Sequence, residues 1–291
     1  MRTKGTGSSI TVSDWTDLAR RLMCIEGRCV WSARGEARRY ARIEPTLDRI
    51  TQEWKEDLTG RLFVEQVLLR RFMDQAVMSL TPAEQLTHSP LLAQPATALI
   101  LARHYAAPTR LLDWTDSLWI AAYFACSDCP DQAGFIRYFD RYQLTHNAGG
   151  QYGNETTELW SPTEKGYWLF NDDEIRRAHR WVVSYHLEGP RFPRMYNQQG
   201  LFTIASWPYA DHWTLIRKMF RAGRKGCGFG LIKIEARAKP GVLQGLSRMG
   251  ISAATLYPGL DGLGKSLSAF AGFSHLDTGI QECLRRPWRR R

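Results

Sequence analysis

The stretch Asp113-Trp114-Thr115-Asp116-Ser117-Leu118-Trp119-Ile120-Ala121-Ala122-Tyr123-Phe124-Ala125 decides how this chain is read. Its first four residues punctuate the most apolar part of the sequence, Ala98 to Cys126, together with Pro108. Asp116 to Ala125 then reads as a helix apolar all round, which has to be buried. The next run, Gly134-Phe135-Ile136-Arg137-Tyr138-Phe139, alternates as strand residues do. A buried helix beside a strand calls for a sheet to pack on. Trp181–His186, Gly200–Ile204 and Phe229–Ile234 are further strand candidates, and Gln143 to Asp172 is loop-rich.

Upstream the pattern is mostly helical. Ser13-Asp14-Trp15-Thr16-Asp17-Leu18 carries the signature of a capped helix start. Val30-Trp31-Ser32-Ala33 reads as a short strand ended by Arg34-Gly35. Leu47 to Met78 is helical, with Phe63, Val67, Phe72 and Met73 expected on one face. Thr81-Pro82-Ala83-Glu84 has the form of a capping box. One strand among the first hundred residues, strands later, and no βα alternation with a glycine-rich turn predict an α+β fold rather than a doubly wound sheet. The expected architecture is a helical N-terminal part packed on a mixed or antiparallel sheet core, in one domain spanning residues 1–291 without a linker.

The 291 residues are 44% hydrophobic and 23% charged, which excludes a disordered chain. No apolar run approaches the roughly 20 residues of a transmembrane helix, and the N-terminus has no apolar leader, so the expected location is the cytoplasm. The formal charge of +10 comes from 31 Arg and only 8 Lys against 29 acidic residues. Arg presents a planar fork that grips phosphate in pairs of hydrogen bonds and stacks on aromatic rings. The excess therefore fits a phosphate-rich or nucleic-acid ligand, although a coding bias that replaces Lys by Arg gives the same count. The tail, residues 285–291, holds five arginines and reads either as a phosphate-binding arm or as a solvated terminus. Six cysteines, at 24, 29, 126, 129, 227 and 283, are expected as reduced thiols. Cys126-Ser-Asp-Cys129 has half the spacing of a zinc site but lacks a second pair, so no metal is expected.

Standard catalytic signatures (a nucleophile elbow, a P-loop, a zinc-protease helix, a dinucleotide fingerprint) are absent from the sequence. Three polar clusters interrupt apolar surroundings instead. They are Arg34-Gly35-Glu36, where Gly permits a ligand to approach the backbone; Arg103-His104-Tyr105 with Thr109-Arg110-Leu111-Leu112-Asp113; and Arg194-Met195-Tyr196-Asn197-Gln198-Gln199-Gly200. A purely structural reading has Arg34 pairing with Asp113 or Asp116 to tie the first strand to the central helix, with His104 and Thr109 satisfying buried backbone groups.

Four blocks in order resemble the FRG domain, over roughly residues 28 to 268. Trp31-Ser32-Ala33-Arg34-Gly35-Glu36 is similar to its aromatic-Arg-Gly signature, with Ala33 standing where the family has an aromatic residue. Ala102-Arg103-His104-Tyr105-Ala106-Ala107-Pro108-Thr109-Arg110-Leu111-Leu112-Asp113-Trp114-Thr115 resembles its most recognisable block. Gln198-Gln199-Gly200-Leu201-Phe202 and Gly250 to Gly262 resemble its later ones. A second resemblance, to ADP-ribosyltransferases of the Arg-Ser-Glu type, rests on Arg34-Gly35 and on Asp113–Ser117 running into Ala121-Ala122-Tyr123-Phe124-Ala125.

The second resemblance implies an ADP-ribosyltransferase-like fold and NAD as substrate. It implies Arg34 and Arg110 as phosphate clamps, Tyr105, Trp114 or Tyr123 as stacking platforms, and Gly35 and Thr109 beside the cofactor. Arg34, His104, Asp113, Thr115 and Gln198 form the expected catalytic set. The glutamate such transferases carry on a later strand has no evident counterpart. Gln198-Gln199-Gly200 stands there, and Asp113, Asp116, Glu235 and Asp261 are the alternative carboxylates. The expected function is a toxin or antiphage effector that modifies RNA or DNA rather than protein, held by a neutralising antitoxin protein and with no membrane partner. The alternatives are a nucleic-acid-binding module without chemistry and an NAD or nucleotide hydrolase.

Overall fold

Trp31-Ser32-Ala33-Arg34-Gly35-Glu36 forms a strand through its full length, and its alternation sorts the molecule into two sides. Trp31 and Ala33 enter one apolar core, while Ser32, Arg34 and Glu36 point to the other side of the sheet. The computed structural model describes residues 8–27, 29–55, 57–82, 85, 88–89, 92, 95–144, 182–185, 193–205, 208–222 and 228–273.

Among these residues seven strands form one mixed sheet: β1 (Ser8–Val12), β2 (Trp31–Glu36), β3 (Leu112–Thr115), β4 (Gly134–Asp140), β5 (Val182–Tyr185), β6 (Gly200–Ala205) and β7 (Phe229–Ile234). Their order is β1-β7-β4-β2-β3-β6-β5, and only the β1/β7 pair is parallel. The helices are α1 (Trp15–Glu26), α2 (Thr46–Ile50), α3 (Leu58–Ser79), α4 (Pro95–His104), α5 (Leu118–Cys126), α6 (Pro193–Asn197), α7 (His212–Ala222), α8 (Lys239–Arg248), α9 (Ala253–Leu256) and α10 (Leu260–Phe273). The fold is α+β.

Helix α5 is the apolar segment from which the reading began. Ser117 caps it, its hydroxyl accepting from Ile120 N at 3.3 Å, and eight of its nine residues are buried. One core packs α5, α1 and α8 on Trp31, Ala33, Ile136, Tyr138, Ile232 and Ile234. The other gathers Leu69, Leu99–Ala102, Leu112, Trp114, Phe139, Trp213 and Ile216 on the opposite face. Lys239, at the start of α8, is 1% exposed, and its ammonium donates to Ala37 O, Asp128 O and Cys129 O at 2.7, 2.8 and 2.8 Å. Three carbonyls match its three donors, which offsets the cost of burying the charge.

The fold departs from the sequence reading in several places. β1 is a second N-terminal strand: Ile10, Thr11 and Val12 pair with Ile232, Lys233 and Ile234, and Val12 is fully buried. β2 continues through Arg34 and Gly35 instead of stopping there. The helical stretch from Leu47 is broken into α2, a 3-10 turn at Gln52–Trp54 and α3, which Asp57 caps through Gly60 N at 2.9 Å. Phe63 is 64% exposed, because α3 buries Arg61, Glu65 and Leu69 instead. Cys29 is disulfide-bonded, contrary to the expected set of reduced thiols, whereas Cys24, Cys126 and Cys129 are free. Most of the Gln143–Asp172 stretch, Ala83 and Glu84 of the capping box, Cys227, Cys283 and the 285–291 tail lie outside the described residues.

Gly35 serves helix packing. A Cβ there would stand 1.9 Å from Ala121 O and 2.7 Å from Ala125 N, so α5 occupies the space that the sequence reading reserved for a ligand. Gly35→Ala should therefore lower unfolding free energy by about 3 kcal/mol, the upper end of overpacking costs. Denaturant melts check this, and an unchanged midpoint would show that α5 can retreat without loss.

Candidate functional site

β2 and β3 are neighbours that touch at one register position only, Ala33 opposite Thr115. An unbroken antiparallel ladder would place Gly35 opposite Asp113. Instead β2 stays with β4 as far as Glu36, β3 stays with β6 over its whole length, and the two halves of the sheet diverge. The wedge is a cleft of about 420 Å³, lined among others by Arg34, Gly35, Arg103, His104, Asp113, Trp114, Thr115 and Gln198.

Arg34 spans the divergence. Its Nη1 donates to Asp113 O at 2.7 Å, and its Nε is buried with no hydrogen-bond partner, since Glu36 Oε1 stands 3.7 Å away. A quarter of the side chain stays open to the cleft. Burial pulls the Arg34 pKa below its ordinary value. Asp113 and Glu36 oppose that pull, while Arg103 and Arg49 add repulsion. Glu36 is itself shared with Arg137, whose Nε donates to both carboxylate oxygens at 3.2 and 3.3 Å, and burial raises the Glu36 pKa in spite of both arginines. Arg34 is thus a partly compensated cation at the edge of a cavity.

Arg103 faces it from α4. The Arg103 fork binds both Asp113 oxygens, and this pairing outweighs burial to raise the Arg103 pKa. The carboxylate of Asp113 therefore belongs to Arg103 and its carbonyl to Arg34. Asp116, the other partner considered for Arg34, bonds Arg141 Nη1 at 2.6 Å.

The turn before β6 closes one wall. Thr115 Oγ1 donates to Gln198 O at 2.7 Å and accepts from Ser117 N at 3.2 Å, so its hydroxyl is committed to joining β3, this turn and α5. Asp116 N donates to Gln199 O at 3.0 Å, and Gln198 Nε2 donates to Leu256 O at 3.2 Å. Trp114 is oriented from behind: its Nε1 donates to Thr203 Oγ1 at 2.8 Å, which leaves that hydroxyl's proton for His212 Nδ1, also at 2.8 Å. Burial, followed by Arg194 and His88, lowers the His104 pKa to about 4, so this cleft imidazole is neutral at pH 7.

Four residues expected beside the cofactor do not line the cleft. Glu65 binds Arg110 through both carboxylate oxygens, in a buried network where Arg61 joins Glu65 to Asp48. Burial works to raise the Glu65 pKa, but Arg110 and Arg61 outweigh it. Arg110 is therefore a structural ion-pair member. Thr109 is buried, and its carbonyl accepts from Leu47 N at 3.3 Å. The Tyr105 hydroxyl lies 3.3 Å from His88 Nε2. Tyr123 is buried in the α5 core, where burial and Tyr257 raise its pKa to about 12.

Other lining groups escaped the sequence reading as site residues. Arg194, Tyr257 and Phe124 meet at one edge, with Arg194 Cζ 4.7 Å from the Tyr257 ring centre and Phe124 edge-on to that ring. Arg103 and Arg194 were visible as members of polar clusters. Tyr257 carried no such signal beyond its place in the Gly250–Gly262 block.

The fold and site define an α+β protein with an arginine-lined cleft at a strand divergence. Residues 30–133, which run from just before β2 to the approach to β4, match the FRG domain. Comparison with curated proteins and with solved structures gave no match. Arg194, Gln198 and Tyr257 lie beyond the matched residues yet complete the same cleft.

The buried histidine behind the site gives a pH signature. Burial holds the His212 pKa at about 3, against about 6.5 for an unperturbed histidine. Between those values the unfolded chain binds a proton that the folded chain refuses. Stability from this group is complete above pH 6.5 and falls by up to about 1.4 kcal/mol per pH unit as pH drops towards 3. Denaturant melts of wild type and His212→Gln across pH 4–7 should differ in slope by close to one proton.

Proposed function

We propose that the cleft binds NAD and transfers its ADP-ribosyl group to a macromolecule, nucleic acid in preference to protein. This is an activity suited to a toxin or antiphage effector restrained by a neutralising protein. The observation that carries the reading is Arg34: a guanidinium with a buried unpartnered Nε, one hydrogen bond to a neutral carbonyl, and an open side facing a cavity. An anion on the open side would meet the exposed part of the guanidinium and offset a charge that the protein compensates only partly, which is what a diphosphate supplies. Arg194 on the surrounding wall adds positive charge, and Tyr257 with Phe124 offers aromatic surface for a base or the nicotinamide.

The resemblance to Arg-Ser-Glu transferases supports the same reading. Arg34-Gly35 stands on β2, and Asp113-Trp114-Thr115 stands on β3, which leads through Ser117 into α5. In the proposed reaction the glycosidic bond of NAD breaks and its electron pair leaves on the nicotinamide nitrogen. The ribosyl carbon, cationic in the transition state, takes the acceptor's nucleophile, and the acceptor's proton passes to solvent. A carboxylate near the ribose stabilises that cation. Among the described lining residues the carboxylates are Asp113 and Asp128, with no glutamate. We assign the role to Asp113, which Arg103 holds in place, and give neutral His104 and Gln198 hydrogen-bonding roles. The same absence of glutamate favours a second reading, nucleotide binding without transfer.

Thermal melts with NAD, combined with incubation of the full chain with labelled NAD and RNA, DNA or lysate, separate these readings. Transfer predicts an NAD-dependent rise in Tm, label on an acceptor and released nicotinamide. A rise in Tm alone leaves the second reading, and no response to NAD sinks both for this nucleotide. Arg34→Ala should melt cooperatively, lose the NAD-dependent rise and reduce any transfer by about 10²- to 10³-fold.

A further inference from the structure

A second polar pocket, of about 270 Å³, lies between the segment that leaves β2 and α2, lined by Arg42, Glu44, Arg49, Gln52, Lys55 and Tyr209. Its charges are unequally committed. Arg42 is neutralised by Glu44 and also donates to Tyr209 O at 2.6 Å. Arg49 spends one donor on Thr46 Oγ1 at 3.1 Å, and the exposed Lys55 has no partner among the described residues. Two cations thus face this pocket with donors to spare and no carboxylate of their own.

The pocket and the cleft are linked through one shared hydroxyl. The Thr46 hydroxyl receives Arg49 Nη2 from one side and Arg103 Nη1, at 3.3 Å, from the other. Arg103 lines the cleft, and Arg49 is close enough to repel the Arg34 charge. Cationic groups therefore run from Arg34 through Arg103 and Arg49 to Lys55. Exposed rings adjoin the lining residues in the chain: Tyr40, with Arg38 stacked 5.3 Å from its centre, stands two residues before Arg42, and Trp54 immediately precedes Lys55. Spaced cations interleaved with exposed aromatics match a strand with repeating phosphates and stackable bases. A single phosphate-bearing small molecule would need only one of these pockets.

We propose that the Arg49–Lys55 pocket is a phosphate subsite for single-stranded nucleic acid, and that it leads an acceptor strand along α2 into the cleft. The proposal rests on the nucleic-acid acceptor of the function proposed above and adds the surface that holds it.

Fluorescence anisotropy of the full chain with a fluorescein-labelled 20-nucleotide single-stranded RNA tests it. Arg49→Gln/Lys55→Gln should weaken binding about tenfold at 150 mM salt and lower the log–log salt slope by about 1.4, two phosphate contacts at about 0.7 each. Arg70→Gln/Arg71→Gln, which removes the same charge from exposed positions on α3, should stay within about twofold. Equal weakening in the two variants, no binding of RNA by the wild type, or equally tight binding of labelled polyglutamate overturns the subsite. NAD melts on the same proteins keep the two proposals apart. RNA binding that depends on Arg49 and Lys55 without any response to NAD upholds the subsite while removing the transfer reading. An NAD response with RNA binding unchanged in the double variant does the reverse.

Discussion

The contact between Arg34 Nη1 and Asp113 O organises the site, because it stands where a sheet hydrogen bond would otherwise be made. Past Ala33 and Thr115 the two strands separate. A side chain then does for one carbonyl what a neighbouring backbone would have done. The gap is held open from both flanks: β4 and α5 hold β2, while β6 and the Arg103 fork hold β3. A cleft built this way has at its edge a charged group that stays a quarter open to the cavity.

Charge burial recurs through the fold. Arg61, Glu65, Asp48 and Arg110 form one enclosed network, and Arg137 with Glu36 forms another beside the site. Removing one member of such a set leaves its partner's charge uncompensated, at about 3–5 kcal/mol. These networks account for Arg61, Arg110 and Arg137, which composition alone would assign to a polyanionic ligand. The positive charge that matters for ligands is the smaller set without a dedicated carboxylate, with Arg34, Arg49 and Lys55 foremost.

Apolar patterning made much of this fold legible. α5, β4, β6 and β7 stand close to where the sequence placed them: β7 alternates in burial, whereas α5, β4 and β6 are buried along nearly their whole length and show as largely apolar runs. β1 was missed because five residues at a sheet edge bury one side only, and their pairing with β7 bridges more than 200 positions. The α3 face was misread for a different reason: Arg61 and Glu65 are buried as a pair, so hydrophobicity pointed to Phe63 instead. At the cleft, the motif blocks contained the residues of both walls but not their division of labour. Arg103 and Arg110 lie seven positions apart in one block, yet one lines the cavity and the other is locked to α3. Only the long-range partners, Asp113 and Glu65, separate them.

Lys239 sits far from the cleft's chemistry in sequence, but two of the three carbonyls it grips belong to Ala37 and Asp128, which both border the cavity. The ammonium acts as a resident ion. It gathers the exit of β2 and the turn that follows α5 around one centre. One lip of the cavity is therefore ordered during folding, and a ligand arriving there meets a border whose conformational freedom has already been surrendered.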